Sequence, residues 1–275
     1  MKDATGCMST YKTKKQKNII ADIIAIVLLG AWAFFINRHI RVSGLYMDDL
    51  YNWSCFKDMS FKDFVFPVGS SRFRPVYWLA SWVELYVIGN RLWLIVPINL
   101  IILTVTAVVC YFYVSDLSES RLVAFFSAFA IVTSRFSYYD VSQLLGLLES
   151  LSMFFVIFIC IELFKFMYDA KGIRFYIALI LYILTCFTHE RYMVLFPMLV
   201  FSVSAAGFLS GKKGHGFTAF LNLALSLLSF AFIQFMRIKA TGSLIPQGTG
   251  GTEVAETFSE KQFVINCLSQ VCYLF

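Results

Sequence analysis

Long apolar runs joined by short polar connectors set the pattern of this chain. They lie near 19–36, 92–114, 122–134, 144–166, 174–188, 192–210 and 217–236, and another starts near 262. An apolar stretch of about 17–25 residues crosses a bilayer as a helix. The third run is shorter, ~13 residues or about 20 Å at 1.5 Å per residue. It either crosses a thinned region or is re-entrant. The pattern predicts an all-α fold: a polytopic transmembrane helix bundle of about 7–8 spans.

One polar-flanked stretch has a different rhythm. Residues 75–90, "PVYWLASWVELYVIGN", open on a proline suited to the first helical position. Trp78, Trp82, Leu85 and Tyr86 recur at helical spacing. This predicts an amphipathic helix lying along the membrane interface, with its aromatic rings at headgroup depth.

Composition agrees with a membrane protein. Of 275 residues, 59% are hydrophobic and 15% charged, where a soluble domain carries about 25% charged residues. The seven cysteines form no CxxC pair and no Cys/His metal spacing, so neither a disulfide framework nor a zinc site is read. No partner nucleic acid is expected.

The lysines fix the expected topology. Lys2, Lys12, Lys14, Lys15 and Lys17 precede the first run, which is long for a signal-peptide core and has no small-residue cleavage site after it. Segment 1–18 is therefore read as a basic cytoplasmic N-terminus, and 19–275 as a single transmembrane domain. Alternation then puts 37–91, 135–143, 189–191 and 237–261 outside. The end of the chain, Cys272 to Phe275, falls inside an apolar stretch, so the sequence reads as the N-terminal part of a longer chain.

On that topology the total of Lys and Arg is nearly even, 11 inside and 12 outside, but the types separate: nine of the 11 are Lys, and eight of the 12 are Arg. The planar guanidinium fork matches phosphate oxygens in a way an ammonium does not. The outer arginines read as a phosphate site; headgroup anchoring is the plain alternative.

Several clusters at the expected outer face could carry chemistry. Asp48 and Asp49, in "GLYMDDLYNW", offer a general base, against a solvated turn or helix N-cap. Arg72 and Arg74 stand at lipid-phosphate height. Arg135 and Asp140 share the second outer loop and read as an ion pair. Glu149, about two turns into the fourth span, is a membrane-embedded acid and so a functional hypothesis; a partner for an outer arginine is the alternative. His189, Glu190 and Arg191 follow one another in "THERYMVLFP", where they line a polar pocket or make a tight polar turn. Arg237 leaves the seventh span ahead of a Gly-rich loop, 243–254, without a Walker lysine. Glu162 reads as a surface pair with Lys165, and His39 as unremarkable.

This arrangement resembles the GT-C superfamily of membrane glycosyltransferases: an N-in first helix, an acidic DD motif in the first outer loop, amphipathic helical material before the second span, and later outer loops rich in Arg and His. The segments "RFRP", "HER" and "GTGGT" look similar to bacterial members related to the family that glycosylates lipid A and proteins. The resemblance implies an inverting transfer of a sugar from a polyprenyl-phosphate donor to an acceptor, unidentified by the sequence, at the extracytoplasmic face of the cytoplasmic membrane. By position it makes Asp48 or Asp49 the catalytic base. Arg72, Arg74, His189, Arg191 and Arg237 become holders of the donor phosphate, with Glu149, Glu190, Arg135 and Asp140 in support. Some members need a divalent metal (Mg2+ or Mn2+) beside the acidic motif; Asp48 and Asp49 would be its ligands. Two alternatives stand beside this reading. A transporter or flippase of lipid-linked sugars would place ionisable groups near the midplane, and a catalytically inactive assembly partner would need no base.

Overall fold

A computed structural model describes residues 19–45, 47–67, 72–209 and 216–242, together with Lys261, Val264, Ile265 and Leu268. Among the described residues every regular element is helical. The chain begins with α1 (Ile19–Asn37). Three short helices follow: α2 (Asp48–Asp58), α3 (Phe61–Val65) and α4 (Pro75–Ile88). A 3-10 turn over Leu92–Leu94 leads into α5 (Ile95–Ser118). Then come α6 (Arg121–Thr133), α7 (Arg135–Ser142), α8 (Gly146–Asp169) and α9 (Gly172–Thr188). A 3-10 segment over Glu190–Leu195 feeds α10 (Phe196–Leu209), and α11 (Gly216–Thr241) ends the described bundle.

All seven apolar runs are helical. Five helical stretches are long and apolar enough to span a membrane: Ile19–Asn37, Leu92–Ser118, Gly146–Asp169, Glu190–Leu209 and Gly216–Thr241. Helices α6 and α9 are apolar but shorter. The expected eighth run falls largely outside the described residues, as do the basic N-terminus and the loop 243–254.

Among the described residues there are three apolar cores, two of them joining the long helices. In the first, α1 meets α5 and α6 through Leu29, Ala33, Leu103, Ala107, Ala124 and Ala128. Small side chains at such contacts let helices approach closely, which supplies packing energy where lipid removes the hydrophobic drive. The second joins α8, α9, α10 and α11 through Ile159, Phe175, Tyr182, Leu199, Val203 and Ile233. Large apolar side chains such as Ile20, Phe34, Phe201 and Phe208 remain exposed on the outside of the bundle, as a lipid-facing surface requires.

The helical ends separate the polar side chains. At one end Asp22, inside the first apolar run, accepts hydrogen bonds from Tyr111 Oη and Arg121 Nε, each at 2.8 Å. A half-buried acid in an apolar helix is tolerated there because it is paired. Glu162 and Asp169 both face Arg174, at 3.5 and 2.6 Å. The partner of Glu162 is thus Arg174 from the next helix, and the expected pair with Lys165 is corrected: the sharp turn at Ala170 brings α9 back beside the end of α8.

The opposite end carries α2, α3, α4, α7 and the Glu190–Leu195 segment. Here Trp78 and Trp82 of α4 do not simply lie outward. Trp82 stacks edge-on with Phe56, Phe61 and Phe64, at centroid distances of 4.6, 5.3 and 5.3 Å. Leu85 and Ile88 are buried beside Ile95 and Leu144. Pro75 does open α4, as its lack of an N–H suits. This aromatic nest fixes the short helices over the ends of α5 and α8.

Candidate functional site

Asp48 and Asp49 occupy the first turn of α2, where negative charge meets the unpaired N–H groups and the positive end of the helix dipole. Consecutive helical residues point about 100° apart, and the two acids divide accordingly. Asp49 turns inward. Its carboxylate accepts the backbone N–H groups of Leu144 (3.1 Å) and Leu145 (3.0 Å), just ahead of α8. Burial pushes this carboxyl up, and those two N–H groups oppose the push. Asp48 stays exposed.

Both acids line a polar cavity of about 720 Å3. Its walls come from the end of α1 and the loop after it (His39, Arg41, Ser43), from α2, and from Tyr138, Tyr139 and Gln143 around α7. Gln143 is held in turn: its carbonyl accepts from Asn99 Nδ2 of α5 at 2.8 Å. Segment 135–142, expected as an outer loop, is a helix whose cap is Ser134, the Oγ accepting from Ser137 N–H at 3.4 Å.

The expected phosphate residues form a separate, tightly paired cluster. Glu190 receives Arg74 through both carboxylate oxygens, Nε to Oε2 at 2.7 Å and Nη2 to Oε1 at 3.0 Å, and it receives Arg72 as well. Arg191 pairs with Glu149. Glu149 is in the first turn of α8, one turn shallower than the sequence implied, because α8 starts at Gly146. His189 caps α9, and its Nδ1 accepts from Arg191 N–H at 3.2 Å. Burial and the guanidinium groups of Arg74 and Arg191 push His189 down to about 4, so it is neutral at pH 7. Its approaches to Glu190 (3.6 Å) and Glu149 (4.0 Å) are therefore contacts of a neutral ring, not ion pairs.

Asp140 lies in a buried position near this cluster. Burial, then the charge of Glu149, pushes its carboxyl up to about 7. The side chain of Arg135 lies outside the described residues, as does its expected pair with Asp140. Arg237 sits in the last turns of α11, one turn beyond Gln234, whose amide reaches Met193 Sδ at 3.5 Å.

Tyr77 stands between the two groups. It is fully buried, its Oη accepts from Asn52 Nδ2 at 3.0 Å, and its hydroxyl feels both Asp49 and Arg74. Glu84, about two turns further along the same face of α4, was missed in the sequence. It is 5% exposed, and both carboxylate oxygens lack a hydrogen-bond partner among the described residues. Burial raises it well above the ordinary carboxylate range, with Asp49 adding to the effect. An acid at helical position i, i+3 from a buried serine (Ser81) in an apolar helix was the available signal.

A divalent cation needs several oxygen ligands. Among the described residues no group of three or more His, Cys, Asp or Glu side chains converges on one point, and Asp49 already serves two N–H groups. That leaves Asp48 as the acid of the pair whose carboxylate is open to the cavity.

Comparison with protein-family models, with curated proteins and with solved structures found no match.

Proposed function

We propose that this chain is a membrane glycosyltransferase that moves a sugar from a lipid-phosphate donor to a hydroxyl acceptor in the cavity beside α2, with Asp48 as the general base. The observation that carries this reading is the unequal use of the acid pair. Asp49 is committed to the N–H groups of Leu144 and Leu145, while Asp48 lines a polar cavity large enough for a sugar and its acceptor. Asp49 is the positioning residue that holds the first turn of α2 against α8.

The reaction balances without a covalent enzyme intermediate. The acceptor oxygen forms a bond to the anomeric carbon as the bond from that carbon to the phosphate oxygen breaks. The acceptor proton goes to Asp48. The electron pair leaves with the phosphate, which stays on its lipid chain, and the anomeric configuration inverts. Fixed cations stabilise the charge that develops on the phosphate.

One observation favours a second reading, a proton-coupled carrier of lipid-linked sugars. Glu84 is a buried acid without a hydrogen-bond partner among the described residues, which is how such carriers place a proton site. The separating experiment supplies purified protein in proteoliposomes with a radiolabelled polyprenyl-phosphate sugar and a panel of hydroxyl acceptors. Transfer yields labelled acceptor and free polyprenyl phosphate in equal amounts. Label that changes leaflet while remaining on its lipid supports the carrier and contradicts the transferase.

A further inference from the structure

Three hollows on this protein share walls. The polar cavity holding Asp48 and Asp49 meets a groove of about 550 Å3 through Ile40, Arg41, Val42 and Ser43. That groove meets a smaller apolar one, about 320 Å3, through Phe34, Pro97 and Leu100. Hollows that share walls in this way follow one another as a track, the two smaller ones between α1 and α5. It begins at Gly30, Thr104 and Val105, runs past Phe34 and Pro97, and opens at Arg38 and Arg41 into the acidic cavity. Gly30 is eight residues before Arg38, about 12 Å along a helix.

Polarity changes along this track in one direction. Its deep part is lined by apolar side chains, Thr104 apart, and the absence of a side chain at Gly30 opens its floor: a Cβ there would stand 3.6 Å from Thr104 Cγ2. Its mouth is cationic. The Arg38 guanidinium lies 3.9 Å over the Phe35 ring and donates to Phe35 O at 2.6 Å. Neither Arg38 nor Arg41 forms an ion pair with a described carboxylate. Arg72, Arg74 and Arg191, by contrast, are each bound to a glutamate. A phosphate competing for those three must displace Glu190 or Glu149, whereas one arriving at Arg41 displaces no described carboxylate.

We infer that the α1/α5 track seats a single-chain lipid phosphate, its apolar tail along Gly30, Phe34 and Leu100 and its phosphate on Arg38 and Arg41. This deepens the transferase reading and rests on it for the identity of the lipid as the sugar carrier. The two hollows together offer an apolar run ending at guanidinium groups, each of which suits a phosphate by its planar fork as well as by charge. A sugar on that phosphate projects into the cavity that Asp48 lines.

The test is equilibrium binding of decaprenyl phosphate to the full chain in nanodiscs. Decaprenol, five-carbon prenyl phosphate, inorganic phosphate and phosphatidylglycerol are run beside it. Wild type should bind decaprenyl phosphate at least ten-fold more tightly than each of these. Arg41→Gln should weaken it about ten-fold, one charged hydrogen bond being worth about 1.5 kcal/mol. Gly30→Leu and Val105→Trp fill the track from opposite walls, so that a folding failure in one leaves the other. Each should weaken decaprenyl phosphate while leaving the five-carbon probe unchanged.

Wild-type affinity in Arg41→Gln, or equal binding of decaprenol, overturns the phosphate assignment. Wild-type affinity in both track-filling variants overturns the tail assignment. Phosphatidylglycerol binding as tightly as decaprenyl phosphate makes the track a seat for bulk lipid and overturns it too. A loss in Arg72→Gln without one in Arg41→Gln moves the phosphate to the Glu190 cluster; that sinks this inference but leaves Asp48-dependent transfer standing. Normal lipid binding with no transfer under any condition has the opposite meaning.

Discussion

The carboxylate of Asp49 accepts the backbone N–H of Leu145 at 3.0 Å across 96 residues of sequence. The adjacent N–H of Leu144 is taken by the same carboxylate. An acid from the first polar excursion thereby anchors the entry to α8, and the wall of the cavity is fixed by it. Asp49→Ala removes the acceptor of two part-buried donors, each worth about 1–3 kcal/mol when orphaned. Thermal unfolding in detergent should show a clear drop in midpoint. Asp49→Asn keeps one acceptor oxygen and should lose less; equal stability of both variants with wild type would remove the anchoring role.

Glu190 is the centre of the second cluster. Its side chain is 10% exposed, against 34% for Arg72 and 14% for Arg74. Glu190→Gln leaves two guanidinium groups without their counter-charge. Breaking a buried pair costs about 3–5 kcal/mol, and the partial exposure of Arg72 puts this case near 3 kcal/mol. Unfolding in mixed SDS micelles reads the loss, which should shrink when Arg74 is replaced by Gln in the same chain.

Asp140 predicts a pH dependence of definite sign. Its folded carboxyl titrates near 7, whereas an unfolded Asp titrates near ~3.9. Between those values the folded state binds more protons, so its contribution falls as pH rises. His189, held down to about 4, has the reverse slope over roughly pH 4–6.5. The difference between Asp140→Asn and wild type isolates the first group. The variant's melting temperature, relative to wild type, should climb from pH 4 to 7 and then level; a pH-independent difference would contradict the assignment.

Gly146 is irreplaceable for a packing reason. A Cβ built there would stand 1.9 Å from the Asp140 carbonyl oxygen, a backbone atom that cannot rotate away. Gly146→Ala should fail to give monodisperse protein by size-exclusion chromatography. Gly30→Ala, whose Cβ would make an ordinary 3.6 Å contact, should be nearly neutral in the same measurement.

Much of the helical layout was legible because the bilayer imposes length and apolarity together. The run 19–36 became Ile19–Asn37, and Pro75 marked the start of α4. Pairing was less legible. Asp22 disappears inside an apolar run, and the chain's return at Tyr111 and Arg121 gives it partners. Glu162 chose Arg174 over Lys165 because the turn after α8, not helical spacing, sets its neighbours. The two acids of the DD motif are indistinguishable in one dimension. Their separation into an anchor and a cavity-facing group depends on where the residues before α8 arrive. His39 looked ordinary beside the first span, and Arg41 was one outer arginine among eight, for the same reason: the cavity they line is made with α2 and α7.

The central claim is that Asp48 takes the acceptor proton. Its most direct test is single-turnover transfer from a radiolabelled polyprenyl-phosphate sugar in proteoliposomes, comparing wild type with Asp48→Asn. General-base catalysis contributes about 10²–10⁴-fold, so the account predicts a rate loss of at least ~100-fold with donor binding and melting temperature preserved. Transfer by Asp48→Asn at the wild-type rate would contradict it.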